Sequence, residues 1–187
     1  MPLTRPGGHP LAASVRTQLR SLGRMHRLQR LRLDHAPALL KFERENRAYF
    51  AASISDRGDD YFTHFDARHR ALLAEQDAGI CFFHLVVDDD GSVLGRVNLV
   101  DAADGSAELG YRIAERAAGQ GLATASVREA CALALAEYGL TTLTAVTTLD
   151  NTGSRTVLAR TGFTPTTPLQ LDGRPGLRFV RDLRLGR

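Results

Sequence analysis

The chain has 187 residues, 43% of them hydrophobic, 24% charged and 6% aromatic, enough for one sizeable core in a single soluble domain. No apolar run approaches the roughly 20 residues that cross a bilayer, and the start "MPLTRPGGHPLAASVRTQLR" lacks a secretory apolar core, which points to a cytoplasmic protein without membrane association. The formal net charge of +3 hides an asymmetry: residues 1 to 33 carry seven arginines (Arg5, Arg16, Arg20, Arg24, Arg27, Arg30, Arg32) and no acid, leaving 17 basic and 21 acidic residues in the rest. Such a basic arm can meet RNA, a ribosome or anionic lipid, or be a plain solvated face, and no aromatic residues interleave with the arginines as nucleic-acid stacking would ask.

Residues 1–27 form this basic N-terminal extension. Its first ten residues, rich in Pro and Gly, are expected to be mobile, and Leu11, Val15, Leu19 and Leu22 then recur at helical spacing up to Gly23. That amphipathic segment can dock on the domain or on a second copy, so a homodimer is a candidate state. The domain proper, residues 28–187, opens with "HRLQRLRLDH", a predicted strand with Leu28, Leu31 and Leu33, and Asp34 is the expected N-cap of a helix over residues 36 to 52. A second helix is predicted over residues 66 to 78, after the irregular acidic stretch "SDRGDDYFTHF", a candidate lid.

Three strands follow, over residues 80 to 87, 92 to 100 and 106 to 114, with Asp90-Gly91 and Asp104-Gly105 at the turns between apolar runs. "ERAAGQGLATASVREACALALAEYGL" is a glycine-bearing loop running into an alanine-rich helix that ends at Gly139, and the β-branched "LTTLTAVTTLD" is a further strand. A short helix "NTGSRTVLART" stops at Gly162, and a last strand falls near residues 176 to 184. This order predicts an α+β fold with a mixed, mainly antiparallel sheet of about six to seven strands flanked by helices. Cys81 and Cys131 have neither metal nor redox spacing and are expected to be buried thiols, and His64, His69 and His84 form no ligand pattern, so no metal is expected.

The loop at residues 116 to 121 carries the chemistry. A strand entering a short glycine turn and then a helix leaves backbone N–H groups free where the helix dipole favours negative charge, which is a phosphate site. The nucleotide P-loop needs Gly-Lys-Ser/Thr, whereas Gly121 is followed by Leu122, Ala123 and Thr124. The dinucleotide fingerprint belongs early in a repeating βαβ chain, whereas this loop follows an antiparallel meander.

Arg116-Ala117-Ala118-Gly119-Gln120-Gly121 resembles the Arg/Gln-x-x-Gly-x-Gly/Ala signature of the GNAT superfamily of acetyl-CoA-dependent N-acetyltransferases. "AELGYRI" precedes it, and "DNTGSRTVLARTGF" is similar to the Asn-x-x-Ser…Gly-Phe segment of the branch that acetylates ribosomal-protein N-termini. The resemblance implies that acetyl-CoA is the cosubstrate. Its pyrophosphate would rest on the loop and helix start of Arg116, Ala117, Ala118, Gly119, Gln120, Gly121, Leu122 and Ala123. Its pantetheine would lie in a splayed cleft between the fourth and fifth strands, on the backbone of Tyr111, Arg112 and Ile113, with Gly110 at a bulge and Asn151 holding the arm.

The same resemblance implies Ser154 as proton donor to the departing thiolate and Glu108 as general base through water; the plainer alternatives are an exposed helix serine, an ordinary N-cap at Asn151 and a solvated strand glutamate. Asp59, Asp60, Tyr61 and His64 would border the acceptor cleft, where acids attract an amine. Where related ribosomal enzymes carry a glutamate after the last helix, this chain reads "TPTTPLQLDGRP", with only Asp172 nearby. The implied activity is acetyl transfer to a primary amine by direct attack in a ternary complex, the acceptor being a protein N-terminus such as a ribosomal protein's. Alternatives are a small-molecule amine (antibiotic or polyamine) and a non-catalytic CoA-sensing domain with an RNA-binding arm.

Overall fold

The computed structural model describes residues 26–185. In chain order the elements are β1 (Arg27–Arg30), α1 (Ala36–Glu45), α2 (Arg47–Ala51), α3 (Gly58–Thr63), α4 (Phe65–Asp77), β2 (Phe82–Val87), β3 (Val93–Ala103), β4 (Ser106–Ile113), α5 (Leu122–Ala136), β5 (Thr142–Thr148), α6 (Thr152–Arg160), β6 (Thr164–Leu171) and β7 (Arg174–Asp182). The strands form one seven-stranded sheet in the order β1-β2-β3-β4-β5-β7-β6, antiparallel except for the β4–β5 pair. The predicted fold class is therefore the observed one. The mobility expected of the first ten residues and the helix expected over residues 11 to 22 lie outside the described residues.

Alternation along the strands divides the interior in two. Val97, Leu99, Leu109 and Leu143 pack on one face against Val127, Ala130 and Ala134 of α5 and Leu158 of α6. On the other face Phe83 and Leu85 pack against Leu39 and Phe42 of α1, with Tyr61 and Phe65. Full burial of each Val, Leu or Phe among these contributes about 1.5–3 kcal/mol, so both faces are held by the same hydrophobic term. His84 lies on the first face, its Nε2 2.7 Å from the Tyr138 hydroxyl, and burial holds its imidazole down to about 4. Cys81 and Cys131 are buried free thiols, each pushed up by burial.

Several expected boundaries move. Leu33 leaves the first strand for a 3-10 turn, Leu33–His35, where it is exposed, and Asp34 pairs with Arg32 instead of capping α1. The helix expected over residues 36 to 52 breaks at Asn46, whose Nδ2 donates to the Phe42 carbonyl while its Oδ1 accepts from the Glu115 N–H. The acidic stretch read as an irregular lid is largely helical: it forms α3 and the start of α4, anchored by Tyr61 against Phe62 and Phe65. The segment "TPTTPLQL" is a strand, β6, at the sheet edge, with a register shift between Pro165 and Pro168, and an edge with a bulge is where prolines lacking an N–H are tolerated.

Candidate active site

β4 and β5 pair only over Ser106–Glu108 with Thr142–Thr144. Beyond that point β4 stays with β3 up to Ile113 and β5 stays with β7 up to Thr148, so the two strands part. The edges that face each other, residues 109–113 and 145–148, have no strand partner among the described residues, which leaves main-chain donors and acceptors exposed to whatever enters the gap. The expected bulge at Gly110 is absent: β4 runs in register with β3 through Asn98↔Gly110, and the shift falls instead on β3 between Val100 and Ala103, where Asp101 has φ 54°.

The gap leads to a 3-10 turn, Glu115–Ala117, and then to α5. Gly119 and Gly121 have φ of 73° and 79°, which favour glycine, and a Cβ added at either would meet nothing within 4 Å. No side chain caps α5, and the N–H groups of residues 119 to 124 find no acceptor among the described residues. Together with the helix dipole, these N–H groups and the open space in front of them fit a pyrophosphate. Ala117 and Leu122 are buried and Ala118 and Ala123 half-buried, anchoring the turn. Arg116 donates to the Val93 carbonyl at 3.3 Å, and Gln120 Nε2 donates to the Arg116 carbonyl at 3.1 Å.

On the α5/α6 side of the sheet, the Tyr111 hydroxyl lies 3.0 Å from Ser154 Oγ and donates to the Ser154 carbonyl at 3.2 Å. Burial pushes the Tyr111 phenol up, so it stays a donor, and a chain of two hydroxyls flanks the gap. Asn151 caps α6, its Oδ1 accepting from the Ser154 N–H at 3.0 Å, which fixes the helix start that presents the serine.

The opposite face carries Glu108, Gly110 and Arg112 on β4, cross-strand from Val100, Asn98 and Arg96 on β3. Glu108 is half-buried at the last paired position, where the gap begins. A Cβ at Gly110 would meet nothing within 4 Å, so there is open space between Glu108 and Arg112. Arg112 donates to Glu43 Oε2 at 3.0 Å, and Arg96 donates to Glu43 Oε1 at 2.8 Å. Burial alone would raise the Glu43 carboxyl, but Arg96, Arg112 and Arg57 outweigh it and hold it below the usual carboxylate range. Burial brings the Arg112 guanidinium down to about 10, and it lies 4.9 Å from the Phe50 ring.

This buried triad escaped the sequence reading. Its signal was an acid on the apolar side of α1, in step with Leu39, Phe42 and Asn46.

The four residues expected at the acceptor cleft are differently disposed from one another. Tyr61 is buried, with Arg57 4.5 Å from its ring, whereas Asp59, Asp60 and His64 are exposed. Asp59 pairs with Arg47 at 2.6 Å, and Asp60 pairs with Arg68 and with His64, so these acids offer no free charge to an incoming amine. Burial of His69 and His84 in separate places leaves the three histidines dispersed.

A mainly antiparallel sheet opened at one splayed parallel pair, with a glycine turn and unpaired helix-start N–H groups where the gap ends, is the architecture of an acyltransferase fold. The acetyltransferase (GNAT) domain model matches residues 26–164, and the chain belongs to this family, the acetyl-CoA-dependent N-acetyltransferases. Among solved structures, the ribosomal-protein-S5-alanine acetyltransferase from Vibrio fischeri is similar with a TM-score of 0.78 at 18% identity, covering 84% of this chain and 92% of that one. Mycobacterium smegmatis RimJ in complex with CoA-disulfide follows at TM-score 0.77 and 23% identity, covering 87% and 84%. A spermidine N-acetyltransferase SpeG chimera from Vibrio cholerae and hSSAT matches at TM-score 0.72 and 16% identity, covering 85% and 96%. At these identities the likeness is one of fold. No curated protein matches the chain in sequence. No helix among the described residues is long and apolar enough to cross a membrane.

Proposed function

We propose that this acetyltransferase transfers the acetyl group of acetyl-CoA to the α-amine of a protein N-terminus, of the ribosomal-protein kind, by direct attack in a ternary complex. Acetyl-CoA supplies the acetyl group as a thioester. The N–H groups of residues 119 to 124, with Arg116 beside them, hold the pyrophosphate. The free main-chain edge of residues 109–113, which includes Tyr111, Arg112 and Ile113, pairs with the amides of the pantetheine, and Asn151 orients the arm from the start of α6. Ser154, polarised by Tyr111, gives a proton to the departing thiolate. Glu108, on the opposite face, accepts the proton of the incoming amine through water. The observation that carries this reading is the parting of β4 from β5 between a hydroxyl pair on one face and a carboxylate on the other.

The ribosomal assignment rests on the Asn151–Ser154 segment and on fold neighbours described as acetylating ribosomal proteins. The test is an acetyl-transfer assay on the full chain, with peptides beginning Ser, Ala or Met set against small amines including spermidine. Transfer to the peptides supports the reading. Transfer only to small amines would overturn the acceptor, and coenzyme A binding without turnover would leave a CoA-sensing domain, with the arginine arm of residues 1–27 as the part to examine for RNA or ribosome contact and for pairing of two copies.

A further inference from the structure

We infer that the acceptor is a peptide carrying an anionic side chain at about its fourth or fifth residue, read by Arg57 and Arg112, and that polyamines are excluded. This rests on the acetyl-transfer reading above and deepens it. The acceptor must approach from the face bearing Glu108, because Tyr111 and Ser154 occupy the other. On that face the open space over Gly110 has Glu108 on one side and Arg112 on the other, with the polar Asn98 directly across from Gly110. A strand rises about 3.3 Å per residue, so Glu108 and Arg112 stand roughly 13 Å apart along β4. An extended peptide whose amine meets Glu108 therefore brings the side chain of its fourth or fifth residue towards Arg112.

The charge at that end is positive. Arg112 and Arg57 line one small cavity with Glu43, Arg47, Asp56 and Phe50, three guanidinium groups against two carboxylates. Glu43 is already shared by Arg96 and Arg112, and Asp56 is taken by Arg47 at 2.6 Å. Arg57 pairs with no carboxylate among the described residues, and of the Arg112 donors only Nη1 is committed to a carboxylate. The acids expected to draw in an amine, Asp59 and Asp60, are held by Arg47 and Arg68. A second ammonium group would meet like charge here, whereas a carboxylate finds unpaired donors.

The test uses the full chain and acetyl-CoA with three peptides that begin Ser-Ala-Ala and carry Glu, Gln or Lys at both the fourth and fifth positions, together with spermidine and a small amine bearing a carboxylate. The expected order of kcat/KM is Glu above Gln above Lys, with a span of at least about tenfold that narrows as salt rises. A small amino-carboxylate cannot span the distance from Glu108 to Arg112, so its rate should stay well below that on the Glu peptide, and a comparable rate would overturn the inference. The Arg57→Glu variant, altered at an exposed side chain, should invert the order of the three peptides. Equal rates across the series, or spermidine as the best acceptor, would overturn the inference while leaving acetyl transfer intact. Failure to acetylate any of the amines would sink the underlying reading and this one together.

Discussion

Glu43→Gln keeps the shape of a side chain that is 2% exposed and removes its charge, leaving Arg96, 4% exposed, and Arg112, 17% exposed, facing each other with no counter-charge. Breaking a buried ion pair from one side costs about 3–5 kcal/mol, because the surviving charge stays desolvated. Domains of this size unfold at about 5–15 kcal/mol in total, so the variant should lose about a fifth or more of its stability. At roughly 2–4 °C per kcal/mol, the melting temperature should fall by about 6–20 °C. The assay is urea unfolding followed by far-ultraviolet circular dichroism, with the midpoint falling and the slope m unchanged. A triple variant carrying Leu at 43 and Met at 96 and 112 should recover most of the loss, since the desolvated charges go together. The sign with pH also follows: the folded Glu43 carboxyl titrates below its ordinary value, so its contribution is present above about 4.5 and lost as pH falls through the folded value. A cost under about 1 kcal/mol for Glu43→Gln would refute the claim that one carboxylate holds both arginines.

Gly119→Glu puts a carboxylate in front of the anion cradle; two like charges about 4 Å apart repel by about 4 kcal/mol at an effective dielectric of 20, so the coenzyme A Kd measured by calorimetry should rise roughly 10³-fold. Gly119→Ala, which meets no neighbour but keeps φ at 73°, should cost about 1–2 kcal/mol in denaturant unfolding and leave Kd within a few-fold. Ser154→Ala should lower kcat by about 10²-fold with acetyl-CoA affinity retained, and adding Tyr111→Phe should cost little more, because the two hydroxyls act as one unit; additive losses in steady-state kinetics would separate them. His84 is neutral in the fold, with its imidazole at about 4 against an ordinary 6.5, so the stability it contributes is full above pH 6.5 and lost as pH falls towards 4. In thermal melts across that window His84→Gln should show a flatter pH dependence than the unaltered chain, and an unchanged slope would deny His84 this role.

The β2–β4 meander was legible because Asp90-Gly91 and Asp104-Gly105 stand between apolar runs and their glycines take positive φ, as hairpin turns require. The glycine turn ahead of α5 was legible for the same reason, since its spacing states where backbone must stay bare. β6 was not, because Pro165 and Pro168 argue against a strand unless the segment is known to lie at an edge. The Glu43 triad was hidden more deeply: its partners lie 53 and 69 residues away, and an acid in an amphipathic helix reads by default as solvated. The acids at 59 and 60 were read as an amine attractor because their arginine partners, Arg47 and Arg68, become neighbours only when α2, α3 and α4 pack together.

The gap between β4 and β5 and the turn at its end are the proposed seat of acetyl-CoA. Hydrogen exchange followed by mass spectrometry, on the full chain with and without saturating coenzyme A, addresses it at the backbone groups concerned. Slowed exchange is expected in two segments, residues 109–113 and residues 119–124, whose unpaired amides gain acceptors on binding. Saturable binding that protects neither segment would contradict it.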